Sequence, residues 1–168
     1  MFRNGLTGVY DNNGHKMLDP LYKDVDASER NGSPRYFAVK TTSGHGALLS
    51  AAGKTVIPPG NFDSLNFLNG YDGKWCVAYK NGKIGIVDLR NGRMAIPCMY
   101  EDDIKSGSGV WPNKKIGLYK VSSNGSLLDI WTMGGRKLAS RFFPNGTSRY
   151  TMLRYLENQL DADYVIDY

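Results

Sequence analysis

Residues 75–97 read WCVAYKNGKIGIVDLRNGRMAIP. A strand-like stretch from Trp75 to Lys80 meets Asn81-Gly82, a second from Ile84 to Leu89 meets Asn91-Gly92, and a third from Arg93 to Ile96 stops at Pro97. Asn-Gly between apolar runs is a strong hairpin signal, because a type I′ turn needs positive φ at both central residues. Proline ends a strand because it cannot donate to the ladder. The segment therefore predicts three antiparallel strands joined by two tight turns.

The same pattern recurs along the chain. Arg3, Lys40, Lys80 and Lys120 each close a first strand, and Asn4-Gly5, Ser43-Gly44, Asn81-Gly82 and Asn124-Gly125 occupy the first turn. Gly8, Gly46, Gly85 and Ser126 open the second strand, and Gly14, Gly53, Gly92 and Gly135 take the second turn. Pro20, Pro58 and Pro97 end the third strand, followed by the aromatic anchors Tyr22, Phe62, Tyr100 and Phe142 and by acids at Asp24, Asp63 and Asp102. The last copy lacks the proline and the acid and carries insertions in its turns.

The predicted fold is all-β. It comprises four three-stranded antiparallel hairpin units of about 40 residues each, a period typical of repeat architectures. The units fall at about 2–30, 35–70, 74–107 and 114–148, with a C-terminal cap at 149–168, so that residues 1–168 form a single repeat domain. One such unit buries too little apolar area alone, and stacked neighbours share a core. A propeller-like ring and a curved open array both satisfy that need. Phe2-Arg3 could pair with Tyr164–Tyr168 to complete a unit and remove an edge. Thr151–Leu160 spaces Met152, Leu153, Leu156 and Leu160 near a helical stripe, which predicts one short helix serving as a cap.

Two segments carry a resemblance. GIVDLRNGRMAIPCMYEDDI and GVYDNNGHKMLDPLYKDV resemble the WG repeat of bacterial and phage proteins. Its units read as a Gly-apolar-apolar-Asp stretch, an Asn-Gly turn, a strand ending in Pro, then an aromatic and an acid. The resemblance covers about residues 2–105, and 114–143 more loosely; Lys83-Ile84-Gly85 and Lys115-Ile116-Gly117 are the nearest equivalents of the Trp-Gly pair. It implies β-rich repeats used for interaction and no shared catalytic residues. The expectation is thus a non-enzymatic protein–protein interaction module, a small structural or accessory subunit of a larger bacterial or phage assembly such as a virion.

The titratable residues support that expectation. His15 follows a turn glycine where other copies place Lys54, Arg93 and Arg136, and His45 follows Gly44 where another copy places Lys83. A site that accepts long cations is an exposed turn edge, so neither histidine reads as a catalytic base or metal ligand. Asp11, Asp88 and Asp129 recur just before the second turn, where a short side chain bonds the turning backbone. Glu101-Asp102-Asp103 lacks the spacing of a calcium loop. Cys76 and Cys98 are two cysteines only, neither a disulfide framework nor a metal cluster; a single bridge is the alternative to the favoured reading of two buried free thiols. No catalytic residue, metal site or cofactor is expected.

Charge and aromatics suggest where contacts form. The net charge is +5, with nine Lys or Arg and one acid, Asp129, over residues 105–154. That reads as a solvated basic surface or as a polyanion-binding face. Trp75, on a strand, reads as core or as packing between units. Trp111 lies on a connection and Trp131 in an inserted turn, and insertions often mark the binding face of a repeat array. Trp111 and Trp131 with Lys114, Lys115, Arg136 and Lys137 form the candidate contact patch; gap-filling is the alternative for both tryptophans. A protein partner is the first expectation. A glycan or nucleic-acid ligand held by the exposed tryptophans and the basic face is the second. No apolar run approaches the roughly 20 residues that span a bilayer, and residues 1–14 lack a signal-peptide core. The reading is a soluble chain with no membrane insertion, cytoplasmic or carried in a particle. Trp131→Ala is expected to leave folding intact and weaken partner binding; loss of the thermal unfolding transition would instead assign Trp131 to the core.

Overall fold

The computed structural model describes residues 2–3, 5–28, 34–67, 74–101 and 115–160. The chain is mostly strand, in four antiparallel sheets with one C-terminal helix. The first sheet holds β1 (Phe2–Arg3), β2 (Leu6–Tyr10) and β3 (Lys16–Tyr22) in that order. The second holds β4 (Asp24–Ala27), β5 (Tyr36–Lys40), β6 (Gly46–Ser50) and β7 (Thr55–Phe62). The third is ordered β11-β10-β9-β8, from β8 (Ser64–Phe67), β9 (Trp75–Lys80), β10 (Lys83–Asp88) and β11 (Arg93–Tyr100). The fourth holds β12 (Lys115–Ser122), β13 (Gly125–Thr132) and β14 (Lys137–Pro144), and α1 (Arg149–Leu160) follows.

Two of these sheets have four strands rather than the three expected for each unit. The added strands, β4 and β8, begin where the sequence shows only an aromatic followed by an acid. The backbone explains it. Lys23 N–H donates to Lys40 O at 2.8 Å, Asp63 N–H to Tyr79 O at 2.8 Å, and Glu101 N–H to Tyr119 O at 2.9 Å. Each time, the chain leaving a third strand docks beside the first strand of the next hairpin.

The recurring Gly and Pro act together. Thr7 pairs with Tyr22 and Val9 with Leu18, so two steps along β2 face four along β3. Gly46 pairs with Phe62 and Leu48 with Ile57, so two steps along β6 face five along β7. Pro20, Pro58 and Pro59 sit in these bulges, where a missing N–H costs no ladder bond. The swollen backbone presses onto the glycine opposite. A Cβ on Gly8 would lie 2.8 Å from Leu18 O and Pro20 N, and one on Gly85 would lie 2.7 Å from Cys98 N. Between β13 and β14, where Ser126 replaces the glycine and the proline is absent, the strands stay in step from Gly125↔Pro144 to Ile130↔Ala139.

Among the described residues one turn takes the predicted type I′ form, and the first turn at Ser43-Gly44 instead closes with Thr41 N–H donating to His45 O and Gly44 N–H to Thr41 O. Asn81 (φ 52°) and Gly82 (φ 70°) both take positive φ, as a type I′ turn requires. The second turns instead use one left-handed glycine each: Gly14, Gly53, Gly92 and Gly135 lie at φ 69–85°. Asp11 N–H donates to His15 O and Gly14 N–H to Asp11 O, and Ser50 and Thr132 repeat both bonds. That is a three-residue loop with a single glycine bulge, which needs no Asn before the glycine.

The chain forms two compact units, residues 1–81 with 87–93, and residues 82–86 with 94–168. In the first, Leu18, Phe37, Val39, Ala47 and Leu49 form a buried cluster joined by Val9, Tyr22 and Val25. Trp75 is core as expected, 6% exposed, with the Arg90 guanidinium 4.8 Å above its ring. In the second, α1 covers one face of the fourth sheet. Leu153 and Leu156 are buried, Gly117 leaves room for the Leu156 side chain, and Phe143 meets Tyr155 edge-on at 5.6 Å. The helix starts at Arg149, two residues before the predicted Thr151, with Ser148 Oγ accepting the Thr151 N–H at 3.2 Å as an N-cap. The aromatic anchor assigned to Phe142 is corrected: Phe143 is the buried ring and Phe142 is 48% exposed. Of the proposed pairing between chain ends, Phe2 and Arg3 pair with Thr7 and Leu6; residues 164–168 lie outside the described residues. Neither cysteine forms a disulfide; Cys76 is buried and Cys98 half-buried. Among the described residues no helix is long and apolar enough to cross a membrane.

Because backbone crowds Gly85, Gly85→Ala is expected to destabilise the fold by about 1–3 kcal/mol. Ser126→Ala, at the equivalent place without a bulge, should stay within about 0.5 kcal/mol of the parent. Urea unfolding of the two variants checks the pair; equal midpoints would remove the bulge as the reason for the glycine.

Candidate functional site

Six residues were expected to form a contact patch. Trp111 and Lys114 lie outside the described residues. Lys115, at the start of β12, turns its Nζ to Gln159 O of α1 at 3.1 Å. Arg136 is exposed in the turn, its N–H bonded to Thr132 Oγ1 at 3.1 Å. Trp131 and Lys137 come together, with Lys137 Nζ 5.2 Å from the Trp131 ring.

Trp131 is only half-buried, and its polar atom is engaged. Its Nε1–H donates to Tyr100 Oη at 2.9 Å, and the two rings meet edge-on with centroids 6.4 Å apart. Tyr100 Oη in turn donates to Asp129 Oδ2 at 2.6 Å. Lys137 Nζ reaches the same oxygen at 2.8 Å, and Ser140 Oγ donates to Asp129 Oδ1. The Asp129 side chain is 3% exposed and that of Lys137 is 42%. Of the six, Trp131 and Lys137 thus form one edge of a polar network around the buried Asp129 that also contains Tyr100 and Ser140.

Asp129 is the residue that local reasoning misplaced. The repeat pattern puts it beside a turn, like Asp11 and Asp88. Asp11 does accept the N–H groups of Asn13 and His15, and Asp88 that of Arg90. In the last hairpin that place belongs to Thr132, whose Oγ1 accepts the Arg136 N–H. The insertion lengthens the strand past Asp129 and leaves the carboxylate mid-strand, paired in register with Leu118 and Ser140. The spacing carried the signal: Asp11 precedes its turn glycine by three residues and Asp88 by four, but Asp129 precedes Gly135 by six, and Thr132 by three.

The electrostatics match a closed network. Burial opposes ionisation of Asp129, but hydrogen bonds from Lys137, Ser140 and Tyr100 outweigh it and hold the carboxyl below its ordinary 3.8. Burial, then the bond to the Asp129 carboxylate, pushes the Tyr100 phenol well above its ordinary value. A phenol raised in this way stays protonated and serves as a donor, not as a base or nucleophile. The arrangement ties Tyr100 of β11 to β13 and β14 within the second unit.

The other expected polar residues occupy turns. His15 is exposed and its Nδ1 lies 3.0 Å from Asp11 Oδ2; His45 is exposed beside Thr41. Asp63 Oδ2 accepts the Asn81 N–H at 2.7 Å, and Asp24 Oδ1 the Val25 N–H at 2.9 Å. Among the described residues, no group of three or more His, Cys, Asp or Glu is arranged to hold a metal ion.

No protein-family model and no curated protein matches this chain. Among solved structures it is similar to the computationally designed Ika8 protein, at 12% identity and a TM-score of 0.46 over 82% of this chain and 43% of that one. It is also similar to a eukaryotic initiation factor, at 14% identity and a TM-score of 0.41 over 65% of this chain and 29% of that one. The chain therefore spans less than half the length of either.

The network makes a stability prediction. Asp129→Asn should cost about 1–3 kcal/mol near neutral pH, because charge-assisted bonds weaken while the partners remain. The folded-state pKa lies below the unfolded one, so the carboxylate's contribution is present above the ordinary carboxylate range and lost as pH falls through the folded value. The gap between parent and variant in urea unfolding should accordingly narrow in acid. Equal stability at neutral pH would count against the network as a stabilising element.

Proposed function

We propose that this chain is a non-enzymatic, WG-repeat-like protein–protein interaction module. Its four sheets are read as four related units, arranged as a propeller-like ring or a curved open array. Its biological role is that of a small structural or accessory subunit in a larger bacterial or phage assembly, such as a virion. The supporting observation is how polar and apolar groups divide. Recurring polar residues such as Asp11, Asp63, Asp88 and Thr132 are engaged by turn or strand backbone. Large apolar side chains are left in solvent on rigid strands, among them Leu21 (60%), Val121 (56%) and Phe142 (48%). Apolar side chains held out by a scaffold suit contact with another protein.

A second reading, a β module for glycan or nucleic acid, draws on charge. Residues 115–160 hold seven Lys or Arg against Asp129 and Glu157. Asp129 is buried against Lys137, and Glu157 lies 3.5 Å from Arg154, so most of the exposed charge there is positive. Polyanion binding through such a face would weaken steeply with salt.

Affinity capture with the intact chain, from a lysate of its own cells or from particles, at low and high salt separates the two. One stoichiometric protein retained at high salt is the expected result. Nucleic acid or glycan retained only at low salt would replace the interaction reading with the second.

A further inference from the structure

We infer that the edge of the fourth sheet at β14, unpaired among the described residues, takes an added strand from a partner whose residues alternate acidic and apolar. This rests on the protein-interaction reading and names the surface and partner class for it.

Strands β3, β7, β11 and β14 each end their sheet. An exposed strand edge invites pairing, and prolines and bulges are the usual protection. The first three carry it: Pro20, Pro58 with Pro59, and Pro97 lie within them. β14 has no proline before its last residue, Pro144, and stays in step with β13 from Ala139 to Pro144. Its one register shift lies between Lys137 and Ala139, so from Ala139 to Pro144 it is the regular, proline-poor edge of this set. At the other end of the fourth sheet, Tyr119 O of β12 is already taken by the Glu101 N–H.

The outward-facing backbone can be assigned. Asn145 N–H donates to Asn124 O at 3.1 Å, and bonded pairs alternate along an antiparallel ladder. Phe143, Arg141 and Ala139 therefore bond β13, and the N–H and C=O groups of Phe142 and Ser140 point away from it, toward the open edge. Pro144 falls on the same alternation, where its missing N–H costs the ladder nothing.

The side chains select the occupant. On one face Phe142 is 48% exposed, its ring over Gly125, in line with half-buried Leu127. On the other, the Arg141 guanidinium lies 4.6 Å from the Tyr155 ring centroid beside α1, whose Arg149 is exposed. A strand laid along β14 sets successive residues on alternate faces. Its apolar residues would meet Phe142 and its acids Arg141, the opposite-charge and aromatic pairings that stabilise neighbouring strands.

The test titrates a labelled peptide of alternating glutamate and valine with the full chain, read by fluorescence anisotropy. Saturable binding is expected. It should weaken at least about tenfold in Phe142→Pro, in a peptide with lysine for glutamate, and in one N-methylated at alternate residues, since main-chain bonds give affinity and side chains specificity. Phe142→Pro is checked by its unfolding transition; if it does not fold, Phe142→Glu keeps the N–H and should repel the acidic peptide. No binding to the parent chain, or binding unchanged in these variants, overturns the inference. So does a dimer of this chain that forms without peptide and is lost in Phe142→Pro, which would make a second copy the occupant. A partner protein retained equally by parent and Phe142→Pro at high salt overturns this edge and leaves the interaction reading standing. No protein retained by the parent overturns that reading itself.

Discussion

A proline in the third strand of a hairpin forces extra residues out of the ladder, and the displaced backbone comes to rest on the second strand at a position where only glycine fits. Gly8 lies under Leu18 and Pro20, and Gly85 under Pro97 and Cys98. Gly46 shows the same constraint one step later, since a Cβ there would lie 2.8 Å from the Cα of Ser64, the first residue of β8. The bulge and the exit of the chain are thus coupled. Having swollen past the glycine, the chain leaves so that Lys23, Asp63 and Glu101 each find a carbonyl on the following hairpin. Gly and Pro, distant in sequence, are two halves of one steric arrangement.

The last hairpin shows what happens when that arrangement is absent. Without the proline, β14 remains in register with β13, and Ser126 carries a side chain where the others cannot. The inserted residues lengthen the strand and move the turn from Asp129 to Thr132. A carboxylate left in mid-strand must find donors or unfold the sheet, because an unpaired buried charge is costly. Tyr100, Ser140 and Lys137 supply them, and Trp131 closes the network through Tyr100. One face of the same sheet is covered by α1, so its apolar area is buried without a further hairpin.

These features bear on function through what they leave accessible. Turn carboxylates and hydroxyls bond the backbone, both histidines sit in solvent at turn edges, and the buried carboxylate is saturated by donors. Among the described residues, strand edges, scattered apolar side chains and exposed cations face outward.

Most of the architecture was legible because it rests on local rules. Asn81-Gly82 can hold two positive φ values wherever it occurs, a glycine at each second turn relieves one left-handed residue, and Trp75 to Lys80 extends whatever its neighbours are. The helix showed in the spacing of Leu153 and Leu156, which α1 buries. What local rules could not supply were the facts that depend on residues far apart in the chain. The strands β4 and β8 form because backbone leaving one hairpin meets the next. Trp131 is tied down by Tyr100, 31 residues away, and the buried Asp129 carboxylate is held by donors from Tyr100, Lys137 and Ser140 on other strands. Turn geometry and strand propensity are set within a few residues, whereas burial, register and the partners of a polar group are set by packing between strands, and in the last hairpin an insertion shifted that packing without disturbing the local pattern.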